Sequence, residues 1–177
     1  MKKAIFLDRD GTLNPDPGYI SNPDDFTLFP KIGSALKQLK DKGYLLILIT
    51  NQSGIARGLI TPEQLDSIHE KLQLLLKQDN AQLDAIYYCP HHPDFPDKHG
   101  VSICNCRKPA PGMILKAAKD MNIDIKNSFM IGDKASDINI ALNSGVTPIF
   151  IGQTLPNNIS DVVIFPNLPD ATNWILR

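Results

Sequence analysis

The sequence predicts a doubly wound α/β fold: a mainly parallel sheet with helices on both faces. Three observations lead there. Six short runs rich in β-branched and aromatic residues alternate with stretches of helical periodicity. Those runs are apolar almost throughout rather than at every second residue, the pattern of strands buried on both faces. The chain has 177 residues, 42% of them hydrophobic, enough for one domain with a sizeable core, so 1–177 is read as a single unit.

The expected strands are Ala4–Leu7, Leu45–Thr50, Asp84–Tyr88, Phe129–Ile131, Thr147–Ile151 and Val162–Phe165. Between the first two, Ile32, Ala35, Leu36 and Leu39 recur at helical spacing and stop near Gly43. The next helix opens at Thr61-Pro62-Glu63-Gln64, with Thr61 as cap, Pro62 at the first helical position and Gln64 completing a capping box. Its buried stripe is Leu65, Ile68, Leu72, Leu75 and Leu76. A third helix starts around Pro111 and buries Ile114, Leu115 and Ala118. A fourth follows Asp133 and buries Ile138, Ala141 and Leu142, and a short last helix holds Trp174.

Charge excludes some functions. Eighteen Lys and Arg against nineteen Asp and Glu give a net charge of -1, so the basic footprint of a nucleic-acid binder is missing. Only four apolar residues separate Met-Lys-Lys from Asp8, too few for a secretory signal. No apolar run is long enough to span a membrane as a helix, and the chain is expected to be soluble and cytoplasmic.

In an open parallel sheet, ligands bind beyond the carboxyl ends of the strands. Asp8 and Asp10 lie just past the first strand, two residues apart, so in extended chain both carboxylates face one site. Gly11 lets the chain turn there, and Thr12 can donate locally. The second strand ends in Thr50-Asn51-Gln52-Ser53, a set of neutral donors at the same edge. The fourth ends in Gly132-Asp133-Lys134, with Asp137 in the helix that follows. Taken singly, each acid can be a loop residue, and Asp133 can be a helix cap. As a set at consistent strand ends they suit Mg2+ bound together with phosphate. Phosphoryl transfer needs positioning and charge neutralisation above all, and an aspartate can serve as its nucleophile.

Residues 90–111 make a connection too long to be ordinary, with five prolines and few apolar residues. All three cysteines and three of the four histidines lie in or beside it. Cys89-x-His91 and Cys104-x-Cys106 supply four N/S donors suited to a structural Zn2+, although the one-residue gaps are tighter than those of zinc fingers. His92 and His99 compete with His91, and free thiols with surface histidines are the alternative reading. A zinc staple at about 89–108 would hold the loop and fix Arg107 and Lys108, which directly follow Cys106, over the phosphate site.

The segments FLDRDGTL, ITNQSGI, CRKPAPGM and MIGDKASDI resemble, in order, the four motifs of the haloacid dehalogenase-like phosphatases. The resemblance implies Asp8 as nucleophile and Asp10 as the acid that protonates the leaving alcohol and then activates water. It implies that Thr50 and Lys108 hold the phosphoryl group. Mg2+ would be bound by Asp8, the Asp10 carbonyl and Asp133, with Asp137 in support. DPGYI, TNQSGIARG and IYYCPHHP are similar to the branch that acts on heptose bisphosphates. That likeness adds Asp16, Gly18, Tyr19, Asn51, Gln52, Ser53, Arg107 and Lys134 as substrate-binding residues, with Arg107 a clamp for a second phosphate. Pro17 stands where that branch commonly has a histidine. The passage from DPGYI to the next helix is too short for a separate cap domain.

The resemblance therefore implies removal of the C7 phosphate of a heptose 1,7-bisphosphate during nucleotide-activated heptose synthesis; the working unit is expected to be a monomer. A histidinol-phosphate phosphatase would share the motifs and the zinc loop. More remote readings are a phosphoacceptor signalling domain, whose acid would follow the third strand, and a zinc-stapled nucleic-acid module.

Overall fold

A computed structural model describes residues 1–96, 100, 103–157 and 159–177. His99 and part of the 89–108 loop lie outside the described residues. The elements run β1 Ala4–Leu7, α1 Ile32–Asp41, β2 Leu45–Asn51, α2 Pro62–Gln78, β3 Ala85–Cys89, α3 Gly112–Met121, β4 Phe129–Gly132, α4 Ala135–Ser144, β5 Thr147–Ile151, β6 Val163–Phe165 and α5 Leu168–Ile175. Short 3-10 turns at Pro23–Asp25 and Ile125–Asn127 were not expected from the sequence.

The strands form one six-stranded sheet in the order β3-β2-β1-β4-β5-β6. Every pairing is parallel, with Ile5 opposite both Leu46 and Phe129 at the centre. Strand alternation divides the core in two. Ile5, Leu7, Leu46, Leu48 and Ile131 face α1, α2 and α5. Ala4, Phe6, Ile47, Ile49 and Met130 face α3 and α4. No separate cap domain interrupts the described chain. Among the described residues no helix is long and apolar enough to cross a membrane.

The capping box on α2 forms as the sequence predicts. Gln64 N–H donates to Thr61 Oγ1 at 3.2 Å, and Thr61 N–H donates to Gln64 Oε1 at 2.8 Å. Two expected core residues face solvent instead. Leu115 is 43% and Leu142 58% exposed. Each helical residue turns about 100° from the last, so the stripe that buries Ile114 and Ala141 carries the next residue off the face. Met113, Ala117 and Ile140 complete the buried stripes.

Strand order fixes where a site can form. The chain leaves β1 to build β2 and β3 on one side, then returns to build β4 on the other. The crevice between the carboxyl ends of β1 and β4 is the switch point at which open α/β sheets bind ligands. Asp8 and Asp133 follow those two strands.

Leu36, fully buried in the α1 stripe, should lose about 2–5 kcal/mol of stability on replacement by alanine. Leu142→Ala should stay within about 0.5 kcal/mol. Urea unfolding of the two variants checks the inside-outside assignment.

Candidate active site

Asp8, Asp10, Thr50, Asn51, Ser53, Arg107, Lys108, Lys134 and Ser136 line one pocket of about 250 Å3 at the switch point. The sequence reading had named all of these except Ser136. Gln52 sits behind the pocket and Asp16 reaches it through Lys134, whose Nζ donates to Asp16 Oδ2 at 2.8 Å and to the Asp10 carbonyl at 3.4 Å. Gly18 and Tyr19 are not part of the lining. Tyr19 is 46% exposed, and its ring edge lies where a side chain on Gly54 would be.

The centre of the site is a buried ammonium. Lys108 Nζ donates to Asp8 Oδ1 at 2.7 Å and to the Ile49 carbonyl at 3.0 Å, and it pairs with Asp137 Oδ1 at 2.6 Å. Burial opposes the charge of Lys108, but Asp137 and Asp8 outweigh it and hold its pKa above the usual value. Asn51 fixes the Lys108 backbone from both sides, accepting from its N–H at 3.0 Å and donating to its carbonyl at 3.2 Å. Asp137 also accepts from the Lys134 N–H at 2.9 Å, closing the first turn of α4. The cap of that helix is therefore Asp137's work, and the Asp133 carboxylate is left to face Asp8, although it is not part of the pocket lining.

Asp8 and Asp133 crowd each other. Burial, then Asp137, raise the Asp8 pKa to about 6 against the pull of Lys108. Burial, then Asp8, raise that of Asp133 to about 6. Thr12 Oγ1 donates to Asp133 Oδ1 at 3.1 Å, and among the described residues no cationic side chain pairs directly with this carboxylate. Gly11 has φ +94°, and any side chain there would overlap the Asp133 carboxylate. Two neighbouring carboxylates that resist ionising together suit a divalent cation with oxygen ligands. The carboxylates of Asp8, Asp133 and Asp137 lie within 4.8 Å of one another.

Asp10 has the opposite environment. Burial works against its charge, but the Arg9 guanidinium and hydrogen bonds from Arg9, Asn14 and Gln52 hold its pKa below the usual carboxylate range. Gln52 Nε2 donates to Asp10 Oδ2 at 2.9 Å and to Thr50 Oγ1 at 2.8 Å. Because Thr50 accepts that bond, its own hydroxyl proton is left to donate into the pocket.

The second cluster lies at the end of β3. Cys89, His91, Cys104 and Cys106 place four N/S donors within 4.8 Å of one another. The three sulfurs are 3.1–3.5 Å apart, and His91 Nδ1 is 3.4 Å from Cys106 Sγ. Hydrogen bonding among the thiols sets their proton affinities apart: burial raises Cys89, whereas bonds from its neighbours bring Cys104 down to about 7 despite burial. Such a donor set suits tetrahedral zinc. His92 points elsewhere, its Nε2 2.9 Å from Arg57 Nη2. Arg107 Nη1 donates to the His91 carbonyl at 3.0 Å, which ties the cluster directly to the residue before Lys108.

Arg9, Asn14 and His69 were missed by the sequence reading. Arg9 is 2% exposed, and its Nη1 lies 3.4 Å from His69 Nε2. Alternation was the available signal: it sends Ile5, Leu7 and then Arg9 to the α1/α2 side. Asn14 Nδ2 donates to Asp10 Oδ1 at 3.0 Å.

The family model described as polynucleotide kinase 3 phosphatase matches residues 3–163. A D-glycero-beta-D-manno-heptose-1,7-bisphosphate 7-phosphatase from Haemophilus ducreyi is 51% identical over 146 residues, 82% of this chain and 80% of that protein. The enzyme of the same name from Escherichia coli is 40% identical over 175 residues, covering 98% of this chain and 88% of its own. The crystal structure of D,D-heptose 1,7-bisphosphate phosphatase from B. bronchiseptica, complexed with magnesium and phosphate, superposes with a TM-score of 0.84 at 32% identity and covers 98% of both chains. With its undivided parallel sheet and its acids at the switch point, this chain belongs to the haloacid dehalogenase-like phosphatases, in the family of the D-glycero-D-manno-heptose-1,7-bisphosphate 7-phosphatases.

Proposed function

We propose that the chain, acting as one phosphatase unit, removes the C7 phosphate of D-glycero-D-manno-heptose 1,7-bisphosphate with Mg2+ through an aspartyl-phosphate. The observation that carries this reading is the convergence of Asp8, Thr50 and Lys108 on one pocket beside the Asp133 carboxylate. The names of the relatives favour a heptose bisphosphate, and the β anomer, over histidinol phosphate.

Asp8 attacks phosphorus through a carboxylate oxygen, and the bond from phosphorus to the C7 oxygen breaks. Lys108 and Thr50 hold the phosphoryl oxygens as that charge shifts. Asp10 gives a proton to the departing alcohol. That proton is taken up from solvent when the anionic phosphate arrives beside Asp10 and raises its low proton affinity. Asp10 then takes a proton from water, the water oxygen bonds to phosphorus, and the bond to Asp8 breaks to release inorganic phosphate. Mg2+ held by Asp8, Asp133 and the Asp10 carbonyl would neutralise phosphate charge and orient the group.

Asn51 and Ser53 on the lining, Gln52 behind it, and Asp16, Gly18 and Tyr19 on the neighbouring loop shape the substrate side. Lys134 and Arg107 sit where phosphate oxygens can be reached, and the Arg107 fork suits the second phosphate. Zn2+ held by Cys89, His91, Cys104 and Cys106 would brace the strand end and the segment leading to Lys108. The working unit is proposed to be a monomer. Three reduced thiols suit the cytoplasm, where nucleotide-activated heptose for glycan assembly would be made.

Phosphate release should require Mg2+, stop with chelator and return on adding Mg2+, and should favour β-heptose 1,7-bisphosphate over its α anomer and histidinol phosphate. A preference for histidinol phosphate would keep the catalytic assignments and overturn the substrate. Asp8→Asn should lower kcat by roughly 10³-fold or more while circular dichroism stays unchanged; turnover near wild type would remove Asp8 as nucleophile. Elemental analysis should find one zinc per chain. Cys104→Ser should lose most of it, with faster amide exchange across residues 89–108.

A further inference from the structure

Arg9 is a large buried cation that does not line the pocket. A charge so placed is costly unless its geometry does something a hydrophobic residue could not. Arg9 grips Asp10 as a two-pronged fork: Nε donates to Oδ1 at 3.1 Å and Nη2 to Oδ2 at 3.0 Å. Asn14 adds a second donor to Oδ1, and Gln52 adds one to Oδ2. Each Asp10 oxygen thus has two donors, which fix the plane of the ionised carboxylate; taking up a proton displaces one of them.

The fork is itself fixed. Arg9 Nη2 also donates to Gln52 Oε1 at 3.0 Å, and the guanidinium lies 5.9 Å from the Phe26 ring centroid. On the far side, Nη1 faces His69 Nε2 at 3.4 Å. A guanidinium cannot accept a hydrogen bond, so His69 accepts, as a neutral ring with its proton on Nδ1. Burial and then the Arg9 charge keep His69 neutral, its pKa lowered to about 4. Gln52 joins this assembly to Thr50.

We propose that Arg9, braced by His69 and Gln52, is a positioning residue that aims the Asp10 carboxyl at the leaving-group oxygen. This rests on Asp10 being the acid and base of the reaction, as proposed above. A sugar alcohol leaves poorly without a proton, so a misaimed acid slows its departure. Lysine, a point charge without a fork, cannot hold both oxygens.

The test compares leaving groups. For Arg9→Met, kcat/KM on heptose 1,7-bisphosphate should fall roughly 10²-fold. On p-nitrophenyl phosphate, whose leaving group departs unprotonated, it should fall less than about 5-fold. That substrate should also show a burst of nitrophenolate, because water attack still needs Asp10 as base. Arg9→Lys should recover part of the loss. His69→Leu should shift the ratio of the two substrates in the same direction, and His69→Gln, which keeps an acceptor, should restore it. Equal losses on both substrates, or no loss, overturn the positioning role. Should Arg9→Met lack a native circular dichroism spectrum, the His69 pair decides by the same ratio. If the wild type ignores heptose bisphosphate but hydrolyses glucose 6-phosphate, the substrate reading fails, and Arg9 is judged on that sugar phosphate. Absence of any Mg2+-dependent hydrolysis overturns both.

Discussion

The Lys108 ammonium is the point on which the site depends. Its three acceptors come from three places: Asp8 after β1, Asp137 in α4, and the Ile49 carbonyl in β2. Together they close the crevice that strand order opens. Removing one partner from such a buried group commonly costs about 3–5 kcal/mol, because an uncompensated charge stays behind. The same pairing gives the pocket its chemistry. It holds one Asp8 oxygen, sets a cation on the pocket lining and keeps Asp137 off that lining.

A second buried cation works on the other side of β1. Arg9 faces α2 and grips Asp10, whereas Lys108 grips Asp8. Arg9 brings the proton affinity of Asp10 below the ordinary range, whereas burial and Asp137 keep that of Asp8 above it despite Lys108. Asp133 has neither cation as a direct partner, and burial and the Asp8 charge raise its proton affinity.

The long loop after β3 extends this control outward. It starts at the fully buried Cys89 and returns through Cys104 and Cys106 to Arg107 and Lys108. Five prolines in residues 90–111 remove five backbone donors from it. Its side-chain cluster, together with the Asn51 amide on the Lys108 backbone, supplies the missing constraint. No cap domain interrupts the described chain, and the segment that brings Asp16 to Lys134 borders the pocket.

Much of this was legible in the sequence. Six apolar runs, a capping box at Thr61 and acids at strand ends depend on local spacing, and local spacing is what a sequence displays. The motif residues Asp8, Asp10, Thr50, Lys108 and Lys134 do line one pocket, and four donors from Cys89 to Cys106 do converge. Tertiary structure alone decided the strand order, and so which two strand ends would meet. It turned Leu115 and Leu142 to solvent, since a helical stripe is chosen by what packs against it. It chose His91 over His92 to face the cysteines. It buried Arg9 against His69, sixty positions away, because a charge can be buried only where the fold brings its partners, and the sequence carries no mark of that meeting.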